Sequence, residues 1–227
     1  MIMSRLQKAI VIALIITLSS CAGLQLSDAE RTFEDGLSLY NAGRYSDASD
    51  YFSKAIAADA KFGKAHLYLG MSYLKLGRFR DAIQPLRTAF SLEPEQSQKE
   101  ITNLLLNALL GAGLESLKKG NHLDALEMYR EAFKLDPQLK RGRSDFVAAL
   151  VAAGTLFLAK GDGTSALSLY QEALKLSPDN IDAYIGIAKA FAKKGDIGEA
   201  LQTILDAMKI HPGNEALQDL YMDLLPD

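Results

Sequence analysis

A pattern of small and large apolar residues recurs five times along the chain, each time around a glycine. These glycines are Gly43, Gly77, Gly120, Gly161 and Gly195. Alanines follow them by five and by twelve residues, at Ala48, Ala82, Ala125, Ala166, Ala200, Ala55, Ala89, Ala132, Ala173 and Ala207. A large apolar residue lies between each pair of alanines, at Phe52, Leu86, Tyr129, Tyr170 and Ile204. A small residue precedes each glycine by seven, at Gly36, Gly70, Gly113, Gly154 and Ala188.

This periodicity predicts a tandem array of helical hairpins, with helix A before each glycine and helix B after it. Glycine tolerates the left-handed backbone conformation that ends a helix. The small residues let helices A and B approach to about 8–10 Å, and the large residue fills the space between them. One hairpin cannot bury its own apolar face, so the hairpins must stack. We therefore predict an all-α fold.

We call the positions that recur in each repeat the repeat columns. They resemble the tetratricopeptide repeat (TPR), and the resemblance covers nearly all of the chain after residue 28. It implies a solenoid of five hairpins wound into a right-handed superhelix. The expected repeats are 29–62, 63–96, 106–139, 147–180 and 181–214. Residues 215–227 look like the solvating cap helix that usually closes such an array.

Two insertions depart from the family pattern, at 97–105 and 140–146. Ser97 and Glu100 form a capping-box signal, so helix A of the third repeat is expected to start early and to be about two turns longer than usual. Ser144 is expected to cap an early start of helix A in the fourth repeat. Three interpretations remain open: drift in loop length, a platform for a partner or a second copy, and a local change in superhelical curvature.

In TPR proteins helix A forms most of the concave wall, so the resemblance implies an inner apolar stripe that binds a partner. Its expected members are Phe33, Leu37, Tyr40, Leu67, Met71, Leu74, Leu110, Leu114, Leu117, Val151 and Leu158. Such a wall suits an amphipathic helix or an extended apolar peptide. Lys75 and Lys118 lie beside the stripe and would orient an acidic partner. The alternative is that the segment 22–30, the cap helix or a second copy covers it.

The N-terminus has the features of an export signal: basic Arg5 and Lys8, then an apolar run over 9–18. Ten residues are too few to span a bilayer, which needs about 20. The sequence Leu18-Ser19-Ser20-Cys21 resembles the lipobox of bacterial lipoproteins. The resemblance implies a signal peptide at 1–20, lipidation of Cys21, a short tether at 21–28 and sorting to the outer membrane, facing the periplasm.

Composition narrows the chemistry further. The 227 residues carry 25 Lys and Arg against 28 Asp and Glu, for a net charge of −3, without the basic excess typical of nucleic-acid-binding proteins. The single cysteine precludes an intrachain disulfide or a cysteine-based zinc site. The three histidines fall in different repeats without metal-ligand spacing, and no catalytic motif is present. We expect no metal, no enzymatic activity and no cofactor apart from the lipid on Cys21.

These features predict a membrane-anchored, non-catalytic scaffold that binds other proteins of the bacterial cell envelope. Lipidated TPR proteins of this size resemble pilotin-type factors of pilus and secretin assembly, which is the role that we favour. They also resemble adaptors for peptidoglycan hydrolases and for polysaccharide machinery. No residue selects among these roles, because the repeat columns specify packing and not a partner. The alternative is a self-associating structural protein of the envelope.

Overall fold

The computed structural model describes residues 26–225, and within them the chain forms eleven α-helices and no strand. Signal peptide 1–20 and Cys21 lie outside the described residues. The helices are α1 Asp28–Asn41, α2 Tyr45–Ala58, α3 Gly63–Lys75, α4 Phe79–Leu92, α5 Glu95–Lys118, α6 His122–Leu135, α7 Arg143–Ala159, α8 Gly163–Leu176, α9 Ile181–Lys194, α10 Ile197–Ile210 and α11 Glu215–Leu224. The all-α prediction is confirmed.

Consecutive helices pack in antiparallel pairs, from α1 with α2 to α9 with α10, and α11 closes the array against α10. The odd-numbered helices, which are the A helices, also contact one another from α1 to α3, from α3 to α5 and from α7 to α9. This stacking buries an apolar face that a single hairpin would leave in water. The described chain is therefore a solenoid of helical hairpins, as predicted.

The sequence columns occupy the packing positions predicted for them. All ten column alanines are fully buried, and so are the large residues between them. The ring of Phe52 lies so close to Gly36 that a Cβ there would be 2.9 Å from a ring carbon, and Tyr170 lies equally close to Gly154. The five turn glycines have positive φ, between 70° and 89°. Small and large residues thus interlock across each hairpin, which fixes the distance between helices A and B.

Arg–carboxylate pairs tie successive B helices together on the outer side of the array. Arg87 of α4 donates from Nε to Glu131 Oε1 of α6 at 3.0 Å, and from Nη2 to Oε2. Arg130 of α6 pairs with Glu172 of α8 in the same way, at 2.5 Å from Nη2. These bidentate pairs connect the third repeat, which has insertions on both sides, to its two neighbours.

Both insertions lengthen an A helix, as predicted, but neither helix begins where the capping signals pointed. Helix α5 has 24 residues against 14 in α1, nearly three turns more, and it begins at Glu95 with Pro94 as its N-cap. Ser97 therefore lies inside the helix. Helix α7 begins at Arg143 and its N-cap is Gly142, so Ser144 is not the cap.

The extra turns of α5 and α7 pack into the array. Ile101 of α5 is fully buried. Phe146 of α7 is also buried, with its ring 5.9 Å from that of Tyr129 and 5.0 Å from that of Phe133. The insertions thus extend the core locally.

Candidate protein-binding groove

An open groove of about 590 Å³ lies where the A helices α1, α3, α5 and α7 meet. Apolar side chains form most of it, with a few polar groups among them. Its lining comprises Tyr40, Met71, Leu74, Lys75, Phe79, Leu104, Asn107, Leu110, Gly111, Leu114, Arg141, Gly142 and Asp145. A volume of this size is typical of binding pockets, which measure about 300–1,000 Å³. We call these residues the groove lining.

Five of the eleven stripe residues predicted from the sequence belong to the groove lining: Tyr40, Met71, Leu74, Leu110 and Leu114. The side chains of Met71, Leu74 and Leu114 are half-buried, and that of Leu110 is 8% exposed and forms part of the floor. The structure therefore brings the centre of the predicted stripe together on one surface. Binding of a partner there stays a prediction.

The other six predicted residues lie outside the groove lining. Phe33 is only 5% exposed and its ring packs against those of Phe52, Phe62 and Tyr68, with centroids 4.9 to 5.5 Å apart, so it is a core residue. Five more are half-buried and pack against the hydrophobic core of the array: Leu37, Leu67, Leu117, Val151 and Leu158. Lys75 belongs to the lining, whereas Lys118 does not.

The sequence stripe missed the part of the lining where the start of α4 packs on α5. Phe79, the first residue of α4, lies across Gly111 of α5, where a Cβ would be 2.4 Å from the Phe79 ring. A side chain at position 111 would displace that ring. A glycine inside an otherwise helical pattern indicates this kind of close approach, so Gly111 was the available signal.

The loop before α7 forms the far wall of the groove, and Gly142 brings it there. Gly142 has a φ of 76°, and a Cβ at this position would be 2.7 Å from Leu110 Cδ2. The loop thus packs directly on the groove floor. On its other side, the Arg143 guanidinium lies 5.9 Å above the Phe133 ring and donates to the Leu139 carbonyl at 3.4 Å. These contacts place the adjacent Arg141 over the groove.

Arg141 reaches across to α5, where its Nη2 donates to Asn107 Oδ1. Asn107 is half-buried and Arg141 is exposed. Because the acceptor is a neutral amide, the guanidinium charge is not compensated by this contact. Arg141, Gly142 and Asp145 all come from the insertion 140–146, and Leu104 comes from the insertion 97–105. The two departures from the repeat period therefore build one wall of the groove.

The buried tyrosines of the third and fourth repeats, Tyr129 and Tyr170, differ in their hydrogen bonding. In the fourth repeat the Tyr170 hydroxyl lies 3.1 Å from Thr155 Oγ1, with which it forms a hydrogen bond. In the third repeat Leu114 occupies the position equivalent to Thr155, and the Tyr129 hydroxyl has no hydrogen-bond partner among the described residues. Burial, and then the charge of Asp145, raises the pKa of Tyr129 well above its usual range. Tyr129 thus stays neutral and acts as a packing residue.

Residues 26–225 contain no cluster of three or more His, Cys, Asp or Glu side chains that would hold a metal ion. His66 Nε2 lies 3.0 Å from the Ala60 carbonyl oxygen, within the turn before α3, and His211 Nε2 lies 2.6 Å from the Asp179 carbonyl oxygen, which joins the turn after α10 to the loop before α9. None of the helices in this part of the chain combines the length and the apolar character needed to cross a bilayer.

Comparison with solved structures finds helical-repeat proteins of low identity. A TPR repeats protein from Bacteroides fragilis NCTC 9343 is 13% identical, over 88% of this chain and 98% of that one, with a TM-score of 0.56. PilF from Pseudomonas aeruginosa is 16% identical, over 86% and 82%, with a TM-score of 0.39. A chain of the APC/C Cut9–Hcn1 hetero-tetramer is 18% identical, with a TM-score of 0.42. The match covers 94% of this chain but only 46% of that one. At 13% identity, the likeness to the Bacteroides fragilis protein shows the fold alone.

No curated protein matches the chain. Two family models do match it, and both describe the tetratricopeptide repeat. One covers residues 33–95 and 110–180, which is more than half of the chain, and the other covers residues 157–224. The first model contains eleven of the thirteen residues of the groove lining, all except Leu104 and Asn107. The chain therefore belongs to the tetratricopeptide repeat family.

Proposed function

We propose that the protein is a non-catalytic scaffold of the bacterial cell envelope that holds a partner protein in the groove. The observation that carries the proposal is the open, largely apolar groove between α1, α3, α5 and α7. A contiguous apolar surface left open to water marks an interaction site. An open apolar groove accommodates an amphipathic helix or an extended segment, with spaced side chains acting as anchors.

The groove lining favours binding over catalysis. Its titratable side chains in the described part of the chain are Tyr40, Lys75, Arg141 and Asp145, without a histidine, cysteine or serine. A nucleophile next to a base is therefore lacking at this surface. Half-buried Met71, Leu74 and Leu114 offer apolar area, and methionine adapts its shape to a partner.

Anchoring at the membrane is the second part of the proposal. Lipidation of Cys21 would tether the array through residues 22–27, which span at most about 20 Å when extended. The groove would then stay close to the membrane, which we propose to be the outer membrane, with the array in the periplasm. Pilus or secretin assembly is the role that we propose to test first.

To test the proposal, a photo-crosslinking amino acid is placed at position 114 of the full-length protein and crosslinked in living cells. Position 123 is the matched control. Both are leucines; Leu114 lies in the groove and Leu123 is exposed on α6 outside the lining. We expect one partner protein to crosslink from position 114 and not from position 123. Equal crosslinking from both positions would refute the assignment of the groove.

Leu114→Glu gives the matching loss of function. Burying a leucine in an interface contributes roughly 1.5–3 kcal/mol, so capture of the crosslinked partner should weaken about tenfold or more. Leu123→Glu should leave capture unchanged. Circular dichroism should show the same helicity for both variants, since each side chain contacts water in the free protein. If Leu114→Glu unfolds the protein, the residue is part of the core and the groove is wrongly assigned.

A further inference from the structure

The charge of the groove is opposite in sign to that of the whole chain. Its charged side chains are Lys75, Arg141 and Asp145, which sum to +1, whereas the chain carries −3. Neither Lys75 nor Arg141 forms an ion pair with any residue between 26 and 225. Two uncompensated cations therefore border an apolar floor.

Arg141 is held in place before any partner arrives. Asn107 accepts from its guanidinium, and the contact of Gly142 with Leu110 fixes the backbone beside it. A guanidinium has five N–H donors in a planar fork, so the contact with Asn107 leaves donors free for a carboxylate. Preorganisation lowers the entropic cost of forming that contact. Lys75 adds a second, exposed cation at the end of α3.

We propose that Arg141 and Lys75 make the groove selective for a protein segment that combines large apolar side chains with a side-chain carboxylate. The inference rests on the proposed function, since it names the chemistry of the segment that the groove holds. It assigns the insertion 140–146 a role, because this insertion supplies Arg141. Asp145 repels a carboxylate, so the selectivity requires that the two cations, Lys75 and Arg141, together outweigh this one negative charge.

The expected size of the effect follows from the exposure of both cations. An exposed ion pair contributes about 0.2–1 kcal/mol, which corresponds to about a 1.4-fold to fivefold change in affinity for each cation removed. The apolar floor therefore supplies most of the affinity and the cations supply the preference. Because exposed charges are screened by salt, the preference should be strongest at low ionic strength.

A random peptide library, displayed between two fixed linkers so that every peptide is internal, tests the inference on the full-length protein in detergent. We expect the selected peptides to carry at least two large apolar residues and to be enriched in Asp or Glu. Against the double variant Lys75→Glu/Arg141→Glu, the enrichment should change to Lys or Arg. The control Lys64→Glu/Lys99→Glu, which alters two exposed lysines outside the groove lining, should leave the acidic preference unchanged.

Fluorescence anisotropy on the most enriched peptide completes the test. Replacing its acidic residue by the corresponding amide should weaken binding about 1.4-fold to fivefold per cation contacted, and amidating its C-terminus should have no effect. A requirement for the free C-terminus, or selected peptides without acidic enrichment, overturns the inference. If such peptides still lose binding in Leu114→Glu, the proposed function stands. If no selected peptide depends on Leu114, both are wrong.

Discussion

Replacing Gly142 by alanine should show whether the loop before α7 is packed on the groove floor. The substitution adds a Cβ at a residue with a φ of 76°, 2.7 Å from Leu110 Cδ2. Gly120 has the same φ, but a Cβ there would have no atom within 4 Å. Gly120→Ala is therefore a matched control, which carries the cost of the backbone conformation without the steric contact.

The two variants should differ by the steric contribution alone. A left-handed conformation costs an L-residue about 1–2 kcal/mol, and both variants should lose this amount. Leu110 is 8% exposed and most of its side chain is packed, so its Cδ2 atom has to shift towards the groove, and overpacking of this kind costs about 1–3 kcal/mol more. Gly142→Ala should therefore lower the free energy of unfolding by about 1–3 kcal/mol more than Gly120→Ala does.

Urea titration followed by circular dichroism measures the difference. For an m-value of about 2 kcal/mol/M, the midpoint of Gly142→Ala should lie about 0.5 M or more below that of Gly120→Ala. In a Leu110→Ala background the extra loss should disappear, because the clashing Cδ2 atom is gone. Equal midpoints for the two alanine variants would refute the close packing of the loop on Leu110.

Three further predictions test the anchor, the packing and the ion pairs. Cys21→Ser should abolish incorporation of labelled fatty acid and leave an unprocessed precursor; labelling of the variant would contradict lipidation at this residue. Ala125→Leu should lower the free energy of unfolding by about 1–3 kcal/mol, because Ala125 is fully buried, and an unchanged melting curve would refute the repeat register. Hydrogen bonds from Ser116 and Arg80 lower the pKa of Asp124, so its stabilising contribution is present at neutral pH and is lost as the pH falls below about 4. The stability difference between Asp124→Asn and the parent should therefore shrink in acid, and a constant difference from pH 7 to pH 3 would refute this.

The sequence was sufficient to predict the hairpins because their columns reflect contacts within one repeat. Gly36 faces Phe52 across the turn of the first hairpin, and Gly154 faces Tyr170 across the turn of the fourth hairpin. The helix starts at the insertions were harder to predict, because a Ser-x-x-Glu signal describes one local possibility among several. At α5 the proline at 94 starts the helix three residues earlier, since the first turn of a helix does not need the N–H that proline lacks.

The groove was predicted only in part, because part of it is formed by contacts between residues that are far apart along the chain. Leu110 and Leu114 lie four residues apart on one helix face, and the resemblance to TPR proteins assigned that face to the concave wall. The same assignment put Phe33 on the stripe, but the aromatic rings of Phe62, in the loop before α3, and of Tyr68, in α3, cover that residue. Arg141 reaches Asn107 from 34 residues away, through a loop whose path only the folded array defines.

The contacts of the insertion 140–146 argue against simple drift in loop length. A longer loop that gained nothing would cost closure entropy and would extend into solvent. The turn glycines of the regular repeats show what a residue open to solvent looks like, since a Cβ at Gly43 or Gly77 would meet no atom within 4 Å. Gly142 instead lies against Leu110, and its neighbour Arg141 against Asn107. Because the column residues are committed to packing, a residue that recognises a partner has to come from outside the columns, and the insertion supplies it.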